Sequence, residues 1–222
     1  MELPYKNSYI VCMNEIVNKE IEKYMLDSIP PRDSVLVEME EYAASRNFPI
    51  IGPLVGRLLY MIAKSVKAKR VLELGSGFGY SAYWFAKGMG KSGKVVCTEG
   101  SPENSVLAAE YFKRGKMSSQ IDFHVGDALK IIERVHGTFD IIFNDIDKVQ
   151  YPKVLKKALP KLRKGGIFIS DNVLWGGRVL DAKPDSNTAG ILTFNRMLYA
   201  SDELFTTIVP LRDGVSISVK LS

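Results

Sequence analysis

The sequence predicts an α/β fold: a mostly parallel seven-stranded sheet with one antiparallel edge strand and helices on both faces. Three observations lead there. Short apolar runs alternate with helix-length segments between residues 70 and 170, the pattern of right-handed βαβ crossovers. The stretch RVLELGSGFGYS, residues 70–81, passes from an apolar strand through a turn with Gly75, Gly77 and Gly79 into a helix. Parallel sheets bind ligands at such strand-to-helix turns. The last two apolar runs, 203–209 and 214–220, are joined only by Pro210-Leu211-Arg212-Asp213. That link is too short for a crossover, so one of the two strands is reversed.

The elements follow in order. Ile16, Ile21, Tyr24 and Met25 recur at helical spacing over 14–27, and Ile29-Pro30-Pro31 ends that helix. A second helix, 34–46, carries many charges. Together these make an N-terminal helical segment, 1–48, that covers a ligand face or builds an interface. A rigid turn, Pro49 to Pro53, leads into a helix over 54–67. Strands are expected at 70–74, 94–98, 120–125, 139–144 and 166–170, with helices at 79–88, 102–115, 127–135 and 149–162. A helix at 187–200 precedes the last two strands. The 222 residues show no repeat or linker, so 1–222 reads as a single domain.

Composition narrows the class. The N-terminus has no long apolar run, and no stretch reaches the length of a membrane span. Cys12 and Cys97 form no C-x-x-C pair and read as free thiols of a cytoplasmic protein. The net charge of +5 and a pI near 9.0 suit an anionic substrate or a solvated basic surface. Lys153, Lys156, Lys157, Lys161 and Lys164 read as such a surface.

The chemistry gathers at strand ends. The glycine spacing, G-x-G-x-G, differs from that of dinucleotide folds, and Glu73 just before the turn repels a pyrophosphate and suits a cation. Glu99 ends the next strand, where it can accept from ribose hydroxyls. A nucleoside with positive charge, S-adenosylmethionine, fits both. The strand 139–144 ends in Asn144-Asp145-Ile146-Asp147-Lys148, and the strand 166–170 ends in Asp171-Asn172. Asp145, Asp171 and Asn172 supply three oxygens, a set suited to Mg²⁺, Ca²⁺ or Mn²⁺ rather than zinc. His124 and His136 have no ligand-spaced neighbours.

These motifs carry a resemblance. VLELGSGFGYS, Glu99, GDAL at 126–129, FNDIDKVQY at 143–151, DNVLWGG at 171–177 and the closing GVSISVKLS together resemble the cation-dependent O-methyltransferases, the family of catechol and caffeoyl-CoA O-methyltransferases. The resemblance covers Pro49 to Gly177 in order, and is strongest to bacterial and archaeal members. It implies a Rossmann-like S-adenosylmethionine-dependent methyltransferase fold. It implies that Glu73, Gly75, Ser76 and Ser81 hold the methionine part of the cofactor, Glu99 the ribose, and Ala128 beside Asp127 the adenine. Ile51 and Asp147 would also touch the cofactor. Asp145, Asp171 and Asn172 would bind the metal, and Asp145 with Lys148, the general base, would form the catalytic pair. Trp175 would wall the acceptor pocket. Two positions depart from the family pattern: Asn144 replaces an apolar residue, and Gly176 replaces an asparagine of the plant enzymes. The implied activity is transfer of a methyl group to a hydroxyl of a catechol-like or polyhydroxylated small molecule. A hydroxylated tRNA base is the alternative acceptor. The implied assembly is a homodimer.

Overall fold

A computed structural model describes residues 16–222. Cys12 and the first two residues of the expected helix 14–27 lie outside them. The helices are α1 (Lys19–Ser28), α2 (Ser34–Arg46), α3 (Gly52–Ser65), α4 (Tyr80–Met89), α5 (Pro102–Arg114), α6 (Ala128–Arg134), α7 (Tyr151–Ala158) and α8 (Ser186–Tyr199). The strands are β1 (Arg70–Leu74), β2 (Lys94–Glu99), β3 (Ile121–Val125), β4 (Phe139–Asn144), β5 (Leu162–Ser170), β6 (Leu204–Val209) and β7 (Val215–Lys220). Side-chain caps fix several helix starts. The Asn18 side chain accepts from the Glu20 and Ile21 N–H groups, Asp33 from Leu36, Asp127 from Leu129 and Lys130, and Asp185 from Thr188. Each cap satisfies donors that the first turn leaves without helical partners.

All seven strands join one sheet in the order β3-β2-β1-β4-β5-β7-β6. β1 pairs in parallel with β2 and β4, β2 with β3, and β4 with β5. β7 is antiparallel to both β5 and β6. Six strands therefore run one way and one runs against them, which is the expected fold class. The reversed strand is β7, seated one place in from the outermost strand β6.

Alternate residues of β1, β2, β4 and β5 feed two cores. Val71, Ile141, Phe143 and Ile169 pack with Leu36, Leu59, Phe85 and Phe112, which places α2 to α5 on one face. Leu72, Leu74, Ile142 and Phe168 pack with Ile132, Val154, Ile191 and Phe194, which places α6 to α8 on the other. Burying each of these side chains contributes roughly 1.5–3 kcal/mol. With both faces covered, only the strand ends are open to ligands.

The region around α7 departs from the expected helix 149–162. Single 3₁₀ turns at Lys148–Gln150 and Leu159–Lys161 flank a helix of 8 residues. Pro152 near the helix start and Pro160 just past its end remove the N–H groups a longer helix needs. β5 accordingly begins at Leu162 rather than 166.

Candidate active site

The carboxyl ends of β1, β2, β4 and β5 open into one cleft of about 1220 Å³. That is more than the ~300–1,000 Å³ typical of a single-ligand site and leaves room for two reactants. Of the residues singled out in the sequence, Ile51, Gly75, Ser76, Ser81, Glu99, Ala128, Asp145, Asp147, Lys148, Asp171, Asn172 and Trp175 all line it. So do Ile16, Val17, Lys19 and Glu22 of the N-terminal segment.

One end of the cleft is built by the glycine turn. Gly75 and Ser76 donate to the Thr98 carbonyl at 3.1 and 2.9 Å, tying the turn to β2. Gly75 has φ +82°, and a Cβ there would lie 2.5 Å from the Asp145 carbonyl oxygen. Only glycine lets the turn close against the end of β4. Glu99 is held in place by three donors: Gly77 N–H at 2.9 Å, Ser101 N–H at 3.0 Å and Asn104 Nδ2 at 3.2 Å. A carboxylate has about four lone-pair sites, so one remains for a ligand hydroxyl.

Glu73 is the exception among the candidates: it does not line the cleft. It is fully buried beneath the turn, where its Oε2 accepts from the Cys97 thiol at 3.5 Å and its Oε1 has no partner. Burial pushes its carboxyl from 4.5 up to about 7, against the pull of the Ser81 and Ser76 hydroxyls and the Cys97 thiol.

The other end is an acidic corner. Asp145 N–H donates to the Leu74 carbonyl at 2.8 Å, and Asp171 N–H to the Asn144 carbonyl at 3.2 Å. These bonds extend the ladder past the strands and set the two carboxylates side by side at adjacent tips. Lys148 Nζ donates to Asp145 Oδ1 at 2.7 Å and lies 5.7 Å from the centre of the Trp175 ring. Asp171 is buried, and its Oδ1 has no partner. Burial, then the charge of Asp145, pushes the Asp171 carboxyl up to about 7. Burial also raises Asp145, with Lys148 acting against it. Asn172 takes φ +57° and donates through Nδ2 to Asp213 Oδ2 at 3.3 Å.

Among the described residues, no three Asp, Glu, His or Cys side chains form a ready metal cage. The candidate set is instead two carboxylates and an amide. Its chemistry fits a hard cation: all donors are oxygens, and one of them, Asp171 Oδ1, is buried and unpartnered. The repulsion between Asp145 and Asp171 is what a cation placed between them would relieve.

Sequence reasoning missed Asp213 and Arg212, which also line the cleft. They sit in the β6–β7 link, which reads as turn chemistry. They reach the cleft only because β7 inserts beside β5, a pairing no local pattern announces.

Comparison with known proteins places the chain in a family. The bacterial catechol O-methyltransferase of Niastella koreensis is 30% identical over 219 residues, covering 93% of this chain and 99% of the relative. Caffeoyl-CoA O-methyltransferase 1 of Arabidopsis thaliana is 29% identical, covering 91% and 85%. Among solved structures, the O-methyltransferase of Bacillus cereus in complex with SAH superposes with a TM-score of 0.83 at 29% identity, covering 90% of this chain and 97% of that one. TomG of Streptomyces achromogenes, solved with SAM, gives 0.84 at 26% identity, covering 91% and 96%. The model of the O-methyltransferase family matches residues 31–221, nearly everything that builds the sheet and its cleft, and the chain belongs to that family.

Proposed function

We propose that the chain transfers the methyl group of S-adenosylmethionine to a hydroxyl of a catechol-like or polyhydroxylated small molecule, with a divalent cation, Mg²⁺ or a similar hard ion, held by Asp145, Asp171 and Asn172. The observation that carries the reading is that a glycine turn and an oxygen-rich acidic corner share one cleft. The SAH and SAM bound by the structural relatives support the donor, and the catechol and caffeoyl-CoA enzymes among the sequence relatives support the acceptor class.

Glu99 would take a ribose hydroxyl, and Ala128 beside Asp127 the adenine. Ile51, Ser76, Ser81 and Asp147 would fix the methionine end, with Glu73 supporting the turn from beneath. A cation at the acidic corner would supply positive charge that eases ionisation of a nearby hydroxyl. Lys148, as the neutral amine, would receive the hydroxyl proton at Nζ. S-adenosylmethionine, when bound, would supply the methyl carbon to the acceptor oxygen, the electron pair of the broken carbon–sulfur bond returning to sulfur. Trp175 walls the acceptor side and limits its approach. The chain's contribution is alignment and charge placement.

For the alternative acceptor, tRNA, two of the five lysines of the cluster are engaged locally. Lys157 pairs with Glu133, and Lys161 donates to the Val135 carbonyl. Neither lines the cleft. For the homodimer, exposed Ile21, Tyr24 and Leu26 on α1 and Met61 on α3 supply apolar surface.

The test is methyl transfer from labelled S-adenosylmethionine to catechols, flavonoids, coenzyme A esters and tRNA, with and without EDTA. Turnover of a catechol-type acceptor, lost in EDTA and restored by Mg²⁺, is expected. Full activity in EDTA would remove the metal, and transfer to tRNA alone would remove the small-molecule acceptor.

A further inference from the structure

Arg212 is a cation at the acceptor end of the cleft that no step above uses. Strand order separates the two ends. Glu99 ends β2, whereas Arg212 lies in the link into β7, on the far side of β1, β4 and β5. Within that link Asp213 accepts from Asn172 Nδ2 and Gly176 N–H. Leu174 N–H donates to the Asp213 carbonyl at 3.0 Å. The link is thereby clasped to the Asn172–Gly176 segment that carries Trp175.

The Arg212 side chain runs the other way, across the mouth. Its Nη1 donates to the Ile50 carbonyl at 2.5 Å. Gly52 makes room for it: a Cβ at Gly52 would lie 3.0 Å from Nη1. The guanidinium lines both the main cleft and a smaller pocket bounded by Glu22, Ile50 and Pro53. Among the described residues no carboxylate forms a direct ion pair with it, although its charge reaches Asp145 and Asp171, and its one hydrogen-bond partner there is a backbone carbonyl. A guanidinium carries five N–H donors in a planar fork, so most remain free. The backbone beneath it is costly. Arg212 has φ +49°, a conformation that favours glycine. A long cationic side chain kept at such a position, pointed along a cleft, suggests a role beyond the turn itself.

We infer that Arg212 selects acceptors that carry an anionic group, a carboxylate or a phosphate, on the side away from the hydroxyl that is methylated. The inference rests on the acceptor end assigned under the proposed function and names the kind of acceptor that fits it. The anion takes the free face of the fork in a charge-assisted, two-pronged contact. The site is open to solvent, so the preference is moderate.

The test compares one catechol in three forms, carboxylate, phosphonate and neutral amide, with wild type, Arg212→Gly and Arg212→Lys. Glycine suits φ +49°, so Arg212→Gly is expected to fold, and a thermal melt checks that. Wild type is expected to favour the anionic forms over the amide by about tenfold in kcat/KM, expressed mostly in KM. In Arg212→Gly that ratio falls to near one, and in Arg212→Lys it lies between. The better of carboxylate and phosphonate names the anion. A wild-type ratio near one, or a ratio that survives Arg212→Gly, overturns the inference. If none of the three is methylated, the acceptor class under the proposed function has failed, and calorimetry on SAH-loaded protein decides Arg212 separately. Tighter binding of the anionic forms by wild type than by Arg212→Gly supports it, and equal binding or none overturns it.

Discussion

Glu73 stands in β1 between Cys97 of β2 and Phe143 of β4, and no cation among the described residues pairs with it. Burial pushes its carboxyl in the folded chain from 4.5 up to about 7. Between those values the folded chain holds a proton that the unfolded chain has released. Stability without ligand should therefore fall as pH rises through this window, by up to about 3 kcal/mol from this residue. Denaturant unfolding at pH 5 and pH 7.5 checks it: wild type should lose stability over that interval, and Glu73→Gln should lose distinctly less. At the same scale, Lys148→Ala removes the proposed proton acceptor. Turnover should drop about 10²–10⁴-fold, while calorimetry should find S-adenosylmethionine affinity nearly unchanged. A variant with wild-type turnover would take Lys148 out of the chemistry. Residue types at strand tips were legible in the sequence because polar groups there are costly as core. The burial of Glu73 was not, since the direction of a side chain before a turn depends on how the turn folds back over it.

At the scale of elements, the α/β alternation could be read from apolar runs and glycine turns because each central strand must fill two cores and each turn must bend sharply. The ends of α7 were harder. Its amphipathic pattern continues past the helix, and two prolines decide where the hydrogen bonding stops. The β6–β7 link shows the same limit more strongly. Asp213 looks like a turn residue, yet it binds the backbone of Gly176 and the side chain of Asn172. Asp213→Ala should loosen the 172–176 segment that shapes the acceptor side. Acceptor KM should rise several-fold, with cofactor affinity little changed, as separate titrations of the two substrates would measure. Equal losses for both would mean that the link supports the whole cleft rather than its acceptor end.

Across the whole molecule, one sheet edge gathers groups from widely separated parts of the chain: Ile51 before the first strand, Glu99 at the end of the second, Asp171 after the fifth and Asp213 before the last. No helix among the described residues is long and apolar enough to cross a membrane. The cleft is wide enough for two molecules, and the proposed function would seat the nucleoside over β1 and β2 and the acceptor over β4, β5 and β7. Mn²⁺, a paramagnetic stand-in for Mg²⁺, tests that arrangement most directly through proton relaxation of bound SAH. Bound at the acidic corner, it should relax the protons beside the sulfur strongly and the adenine protons weakly, and Asp171→Ala should abolish the effect. Uniform relaxation along SAH, or an effect that persists in Asp171→Ala, would contradict a donor and a cation meeting in this cleft.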